Sequence, residues 1–256
     1  MKVASWNVNS VRAREARLLA WLARTQPELV CLQELKAEND VFPSAAVEAL
    51  GYQAAVHGQR TYNGVAILSR APLTEIERGF GDGEDDAQAR VIRARVAGIR
   101  VFCAYFPNGG EVGSEKFAYK LRWMERMRRY LERTLEKSES AVLCGDFNVA
   151  PEDRDVARPE EWKDSVLCHP EARAALARIA DLGLVDTFRR QHSEGGHYSW
   201  WDYRMLGFPK NNGLRIDHIF ATEPLAARCQ SAEIDRNERK GKQPSDHAPV
   251  LATFSQ

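Results

Sequence analysis

Nothing in the 256-residue sequence approaches the ~18 continuous apolar residues of a membrane span. The opening, MKVASWNV, enters a strand pattern with no basic segment followed by an apolar one, so no secretory leader is expected. Cysteine is scarce and odd in number, with five at positions 31, 103, 144, 168 and 229. No two form a C-x-x-C pair, and Cys31, Cys103 and Cys144 lie inside apolar runs. That argues for buried thiols in a reduced, cytoplasmic protein, and against a disulfide scaffold or a zinc site. Neither sign of charge dominates, since 36 Lys and Arg balance 36 Asp and Glu. A neutral total carries no general footprint for nucleic acid, although a basic face can coexist with an acidic pocket. Repeats and low-complexity linkers are absent, so residues 1–256 are read as a single domain.

What is present is a folded chain, 44% hydrophobic and 28% charged. Apolar runs bounded by turn residues predict strands at Val3–Trp6, Leu29–Gln33, Gly64–Leu68, Val91–Val96, Ile99–Phe106, Ala141–Cys144, Ile216–Ala221 and Val250–Phe254. The fourth and fifth read as a hairpin closing at Ala97-Gly98, and the Arg-bearing face of its first arm is expected to meet water. Ser10 caps a predicted helix over Val11–Leu22. A long amphipathic helix carries Phe117, Leu121, Met124, Met127, Leu131 and Leu135 on one face and Lys116, Lys120, Arg122, Arg126, Arg129 and Arg133 on the other. A third runs through Ala174, Leu176, Ile179 and Leu182, and polar loops are expected at Gly79–Ala89, Asn108–Glu115 and Asp235–Ser245. Interspersed strands and helices with a hairpin argue for a layered α/β fold with mixed sheets.

Several of these runs end in a polar group just where the core should leave off. Val3–Trp6 runs into Asn7, LVCLQE into Glu34, and AVLCGDFN into Asp146 and Asn148. Asp217 lies within RIDHIF, and Ser245-Asp246-His247 precedes the last strand. Singly, each has a structural explanation: Asn7 as a turn cap, Glu34 paired with Lys36, Asp146 accepting backbone N–H groups after Gly145, His247 as a packed imidazole. As a set they imply more, because carboxylates gathered at neighbouring strand ends repel unless a cation sits among them. Oxygen donors without a Cys or His cluster of zinc spacing suit a hard ion, Mg²⁺ or Mn²⁺. Asp217 and His247 are then expected to pair, the carboxylate fixing the imidazole tautomer.

A second cluster is YSWWDYR, Tyr198 to Arg204, followed by KNNGLRID up to Asp217. Adjacent tryptophans on an extended chain point to opposite sides, and Trp201 is assigned to the core. Trp200, with Leu214 and Ile216, is expected to wall a small apolar pocket beside Asp217, where Asn and Arg side chains suit a sugar-phosphate backbone.

Read together, SWNVNSVRA, LQELK, NGVAILS, YFPNG, GDFNVAP, SWWDYR, NNGLRIDHI and SDHAPV make the chain resemble, along nearly its whole length, the exonuclease III family of DNA-repair nucleases, the bacterial-type apurinic/apyrimidinic endonucleases. The resemblance implies a four-layer α/β-sandwich, two packed mixed β-sheets flanked by helices. It implies a metal site among Asn7, Glu34, Asp146, Asn148, Asp246 and His247, and catalytic roles for Tyr105, Asp146, Asn148, Asp217 and His247. Trp200, Leu214 and Ile216 fall where the family's abasic-sugar pocket lies, and Lys36, Asn108, Tyr203, Arg204 and Asn212 are candidate DNA contacts. The implied activity is Mg²⁺-dependent hydrolysis of the phosphodiester 5′ to abasic sites, with 3′-phosphodiesterase and 3′→5′ exonuclease activities. The implied partner is duplex DNA with abasic sites or blocked 3′ ends, and the protein is expected to be a monomer away from membranes. Glu111 is a departure, standing where some relatives place a basic DNA-inserting residue. Whether Asp146 or the Asp217/His247 pair is the general base stays open. Two rival readings are a phosphoesterase of the same fold acting on a small phosphoester, and a binding module without catalysis.

Overall fold

Successive residues of the first strand, β1 (Lys2–Asn7), belong to different cores, Val3 facing a second sheet and Ala4 and Trp6 facing a helix layer. This period of two is the pleat of a strand buried on both faces. The computed structural model describes residues 1–84 and 87–255. After β1 come α1 (Val11–Thr25), β2 (Leu29–Gln33), α2 (Ser44–Glu48), β3 (Gln53–His57), β4 (Val65–Ser69), β5 (Leu73–Arg78), β6 (Val91–Val96) and β7 (Ile99–Tyr105). The second half holds α3 (Glu115–Thr134), β8 (Ala141–Asp146), α4 (Pro159–Trp162), α5 (Pro170–Ala180), β9 (Leu184–Asp186), α6 (Thr187–Gln191), β10 (Asp217–Thr222), α7 (Glu223–Ala226), β11 (Cys229–Ile234) and β12 (Val250–Phe254).

These form two six-stranded sheets, ordered β11-β12-β1-β2-β4-β3 and β5-β6-β7-β8-β10-β9. Both are mixed: β1–β2 and β7–β8 run parallel, and the other pairings are antiparallel. Val3, Cys31, Ile67, Cys103, Val142, Cys144, Ile219 and Val250 fill the space between the sheets. The outer face of the first sheet packs on α1 and α2 through Trp6, Leu18, Trp21, Leu22 and Val47. That of the second packs on α3 and α5 through Phe102, Leu143, Met124, Met127 and Leu176. The result is the expected four-layer α/β-sandwich. Ser10 Oγ accepts the Ala13 N–H at 3.4 Å, capping α1 as predicted. Among the described residues no helix is long and apolar enough to cross a membrane.

The hairpin closes at Ala97-Gly98, both at positive φ (47° and 81°), with Val96 opposite Ile99. Its Arg-bearing face is only partly open to water, because the helix layer covers Arg93 while Arg95 stays part-exposed. Arg93 is buried and pairs with Glu77. On the polar face of α3, Lys116, Arg122, Arg129 and Arg133 are exposed as expected, whereas Lys120 is fully buried and Arg126 lies 2.6 Å from Asp82. Strands β3, β5, β9 and β11 were not predicted, and these are the four outermost strands of the two sheets. β5 is exposed along most of its length and breaks register between Thr74 and Glu77, with Glu75 at φ 49°. β11 breaks register between Cys229 and Ser231. The predicted loop at Gly79–Ala89 connects β5 to β6, and residues 85–86 of it lie outside the described residues.

Candidate active site

The pleat explains why acids sit at the ends of buried strands. On β8, Val142 and Cys144 point into the space between the sheets, and the next inward position is Asp146. The inward faces of β1, β2, β7 and β10 place Asn7, Gln33, Tyr105 and Asp217 in the same layer. In register, Asp146 pairs with Asp217 on one side and Tyr105 on the other. The inter-sheet core thus ends in a polar row. Gly145 permits the approach of β7 and β8, since a Cβ there would lie 1.9 Å from the Ala104 carbonyl oxygen.

Asp146 is buried yet fully bonded. Its Oδ2 accepts from Asn7 Nδ2 at 2.9 Å and Asn148 Nδ2 at 3.3 Å, and its Oδ1 accepts the Asn148 backbone N–H at 2.9 Å. Burial pushes its carboxyl up to about 7, with His247 opposing the shift. His247 Nδ1 donates to both oxygens of Asp217, at 2.9 and 3.0 Å, leaving Nε2 directed to Asp146 Oδ2 at 3.7 Å. Burial disfavours the imidazolium, but Asp217 and Asp146 outweigh it and raise the group to about 10. His247 is therefore a cation and an Nε2–H donor at neutral pH. Ser199 Oγ, which donates to Asp217 Oδ2 at 2.6 Å, accepts the Ile216 and Asp217 N–H groups at 3.1 and 3.0 Å.

Opposite this row, the Tyr105 hydroxyl donates to Glu34 Oε1. Burial, then the charges of Glu34 and Asp146, raise the Tyr105 phenol well above its ordinary range, so it stays a neutral donor. Lys36 Nζ lies 3.0 Å from Glu34 Oε2 and 2.6 Å from Asn9 Oδ1, the pairing anticipated as the structural alternative for Glu34. Asn9, Glu34, Lys36 and Asn148 all have positive φ, between 44° and 52°. Such backbone is uncommon outside glycine and gathers at functional sites.

The donor set fits a hard divalent cation. Glu34 offers an oxygen that already draws an ammonium, and no cysteine is among the residues lining the cleft above it. Asn7 Oδ1 takes the Asn9 N–H at 2.9 Å, and Asp246 accepts from Asn9 Nδ2 at 2.8 Å and Trp200 Nε1 at 3.0 Å. Glu34, although bonded to Tyr105 and Lys36, is a part-exposed carboxylate that lines both clefts over the site. Asp146, Asp217 and His247 also cluster closely, but their inward atoms are engaged with one another.

A cleft of about 610 Å³ opens over the row, lined by Glu34, Tyr105, Asp146, Asn148, Asp246 and His247. Trp200 and Ile216 form its apolar wall, with Trp162 edge-on to Trp200 at 5.7 Å. Leu214 is fully buried behind Trp200, to which its backbone is bridged. Trp201 is buried, as expected. Asn108 and Glu111 stand at the rim, Asn108 Nδ2 donating to Asn148 Oδ1 at 3.1 Å. An adjoining cleft of about 540 Å³ shares Glu34, Tyr105 and Asn108 and carries Lys36, Arg90 and Lys116. Arg204 lines the first cleft and pairs with Asp202 at 2.8 Å. Tyr203 is half-exposed and donates to the Pro244 carbonyl at 2.7 Å. Asn212 lines neither cleft, its N–H bonding the Gly207 carbonyl at 2.9 Å. Arg215, grouped by sequence with the pocket, is buried in an ion network with Asp155 and Asp186 at 2.6 and 2.8 Å.

Sequence reasoning missed Asn9, Ser199, Trp162 and above all Lys120. The Lys120 ammonium donates to the carbonyls of Asn108, Asn148 and Val166 at 3.1, 2.6 and 2.8 Å, tying together three loops that wall the cleft. Burial lowers it to about 7, against the charge of Asp146. Its only sequence signal was a polar position on α3 that could equally face solvent.

Comparison with known proteins matches residues 4–247 to the family described as Endonuclease/Exonuclease/phosphatase. Exodeoxyribonuclease III of Haemophilus influenzae is 38% identical over 99% of this chain and 100% of its own. An AP endonuclease from Archaeoglobus fulgidus superimposes with a TM-score of 0.97 at 41% identity, covering 100% of both chains. The 3′ phosphatase NExo from Neisseria, solved bound to a product DNA hairpin, gives 0.96 at 41% identity with the same coverage.

Proposed function

The chain belongs to the endonuclease/exonuclease/phosphatase family, and on that footing we propose that this DNA-repair nuclease hydrolyses the phosphodiester 5′ to abasic sites in duplex DNA. The products are a 3′-hydroxyl and a 5′-deoxyribose phosphate, and the same site trims blocked 3′ ends and degrades 3′ termini. One observation carries the reading: the row Asp217–His247–Asp146 floors a cleft with an apolar aromatic wall and a basic extension. A small phosphoester needs neither wall nor extension.

Water attacks phosphorus in line, the P–O3′ bond breaks, and the departing 3′-oxygen takes a proton from solvent water. Asp146, held by Asn7 and Asn148, takes the proton of that water, and Asn148 orients it. His247, kept charged and aligned by Asp217, donates from Nε2 to a non-bridging oxygen, and the Tyr105 phenol donates to another. Glu34 would hold a divalent cation, Mg²⁺ or in its place Mn²⁺, which when bound would supply charge neutralisation for the phosphate and the departing oxygen. Trp200 and Ile216 admit a bare deoxyribose and exclude one carrying a base. Such a sugar is cheap to extrude because it breaks no pairing. Lys36, Asn108, Tyr203 and Arg204 are assigned to the DNA backbone. Residues 1–256 act as one domain, a monomer in the cytoplasm.

A second reading, in which 3′-end processing dominates and abasic incision is minor, draws on the likeness to the Neisseria 3′ phosphatase at the same 41% identity. Rates on an abasic duplex, a 3′-phosphate duplex, a recessed 3′ end and an inositol phosphate separate the readings. Abasic nicking should lead, cease with chelator, and return with Mg²⁺ or Mn²⁺. Faster hydrolysis of the inositol phosphate, or no DNA cleavage, overturns the proposal.

A further inference from the structure

On the loop after α6, His192, Glu194 and His197 bring their ligand atoms within 4.8 Å of one another. Both imidazoles address one carboxylate oxygen: His192 Nδ1 lies 3.5 Å and His197 Nε2 3.1 Å from Glu194 Oε1. A tetrahedron with bonds of roughly 2.0–2.1 Å has edges of about 3.3 Å, so both imidazole–carboxylate distances match edges of such a polyhedron.

The tautomer of His192 sharpens the point. Its Nε2 lies 2.7 Å from the Ala232 carbonyl on β11, which only accepts, so Nε2 carries the hydrogen. In the neutral ring Nδ1 is then a lone pair, and it faces a carboxylate oxygen. Two acceptors do not share such a gap without a second proton or a cation between them. A ring nitrogen that donates outward to a backbone carbonyl while the other turns inward is the usual bracing of a metal-bound histidine.

The loop is also held in place before anything binds. Arg189 Nη1 donates to the carbonyls of His192 and Glu194 at 3.2 and 2.6 Å, and Arg154 Nη1 to that of Ser193 at 2.7 Å. Those guanidinium groups are themselves paired with Asp155 and Glu152. Phe188 stacks on His192 at 4.4 Å and stands edge-on to His197 at 5.4 Å, fixing both rings. All three candidate ligands are partly exposed, so an ion can enter.

We propose that His192 Nδ1, His197 Nε2 and a Glu194 oxygen form a zinc site separate from the catalytic cleft, its fourth position open to water. Two imidazoles and one carboxylate select Zn²⁺ over Mg²⁺. The site closes the loop that leads directly into Tyr198-Ser199-Trp200, and so braces the segment holding Asp217 and the cleft wall.

The test is zinc stoichiometry by competition with a chromophoric indicator, on chelator-stripped protein in excess Mg²⁺. The wild type should bind one equivalent more than His197→Gln or Glu194→Gln, and its melting temperature should rise with Zn²⁺ while theirs does not. Retained abasic nicking in both variants shows that they fold. Glu34→Gln should keep the loop zinc, which separates this site from the catalytic one. Equal stoichiometry in the wild type, His197→Gln and Glu194→Gln overturns the proposal. So do ¹⁵N spectra in which the wild-type His192 and His197 rings are both doubly protonated and unmoved by Zn²⁺.

Discussion

Asp146 and Asp217 face each other in register on β8 and β10, and His247 reaches both, at 3.7 and 2.9 Å. Like charges directly opposite on a ladder destabilise it. Here one imidazolium answers two carboxylates, and its two nitrogens divide the roles. Nδ1 is committed to Asp217, and Nε2 faces the cleft.

Asp146→Asn keeps the hydrogen-bonded shape and removes the proton acceptor. Turnover on an abasic duplex should fall by at least about 10²–10⁴-fold, while DNA affinity changes little. Single-turnover nicking and equilibrium binding on the same substrate measure the two quantities. A mild loss of turnover would remove Asp146 from the role of base.

The pH profile should be bell-shaped. The Asp146 carboxyl sits at about 7 and must be ionised to take a proton, so the rate rises as pH passes through that region. His247 sits at about 10 and must stay protonated to donate, so the rate falls as pH approaches it. A pH–rate profile of single-turnover nicking at saturating metal gives both limbs.

Ser199→Ala removes a 2.6 Å donor from Asp217 and leaves the Ile216 and Asp217 N–H groups without their acceptor. Asp217 then holds His247 less firmly in place. The expected result is a lower kcat with little change in KM. A variant indistinguishable from wild type would show that Asp217 orients His247 unaided.

Trp200→Ala opens the apolar wall. The ratio of abasic incision to incision at an intact nucleotide should fall, and Trp162→Ala, which takes away the ring edge-on to Trp200, should lower it less. Competition between the two duplexes in one tube reads the ratio. An unchanged preference in Trp200→Ala puts the sugar pocket elsewhere.

Lys120→Met keeps the aliphatic stem and orphans three carbonyls. At about 1–3 kcal/mol for each buried acceptor that finds no other partner, the variant should lose about 3 kcal/mol or more in urea unfolding. Turnover should drop with it, because the loops of Asn108 and Asn148 lose their shared anchor.

The inner framework was legible from sequence and the rim was not. Eight predicted strands are the eight interior strands, where apolar residues dominate even in the Arg-bearing hairpin of β6 and β7. The four missed strands are the sheet margins. LTEIER on β5 carries too little burial to leave a pattern. The site divides in the same way. Asn7, Glu34, Asp146, Asp217 and His247 interrupt apolar runs and so announce themselves. Lys120 and Ser199 have ordinary sequence surroundings, and only the three carbonyls around one ammonium, or the carboxylate beside one hydroxyl, reveal their parts. Arg93 and Arg215 misled for the opposite reason, since paired guanidinium groups can lie under a helix layer or within a core.

The register break in β5 bears on handling the protein at high concentration. An outermost strand with free backbone groups invites a neighbouring molecule to extend the ladder. At Glu75 the backbone turns to positive φ, and Glu75 and Glu77 turn to Arg95 and Arg93 on β6. An arriving segment would find its bonds out of step after two or three residues. Straightening that bend by deleting one residue between Thr74 and Glu77 should turn a well-behaved solution into one that forms fibrous precipitate.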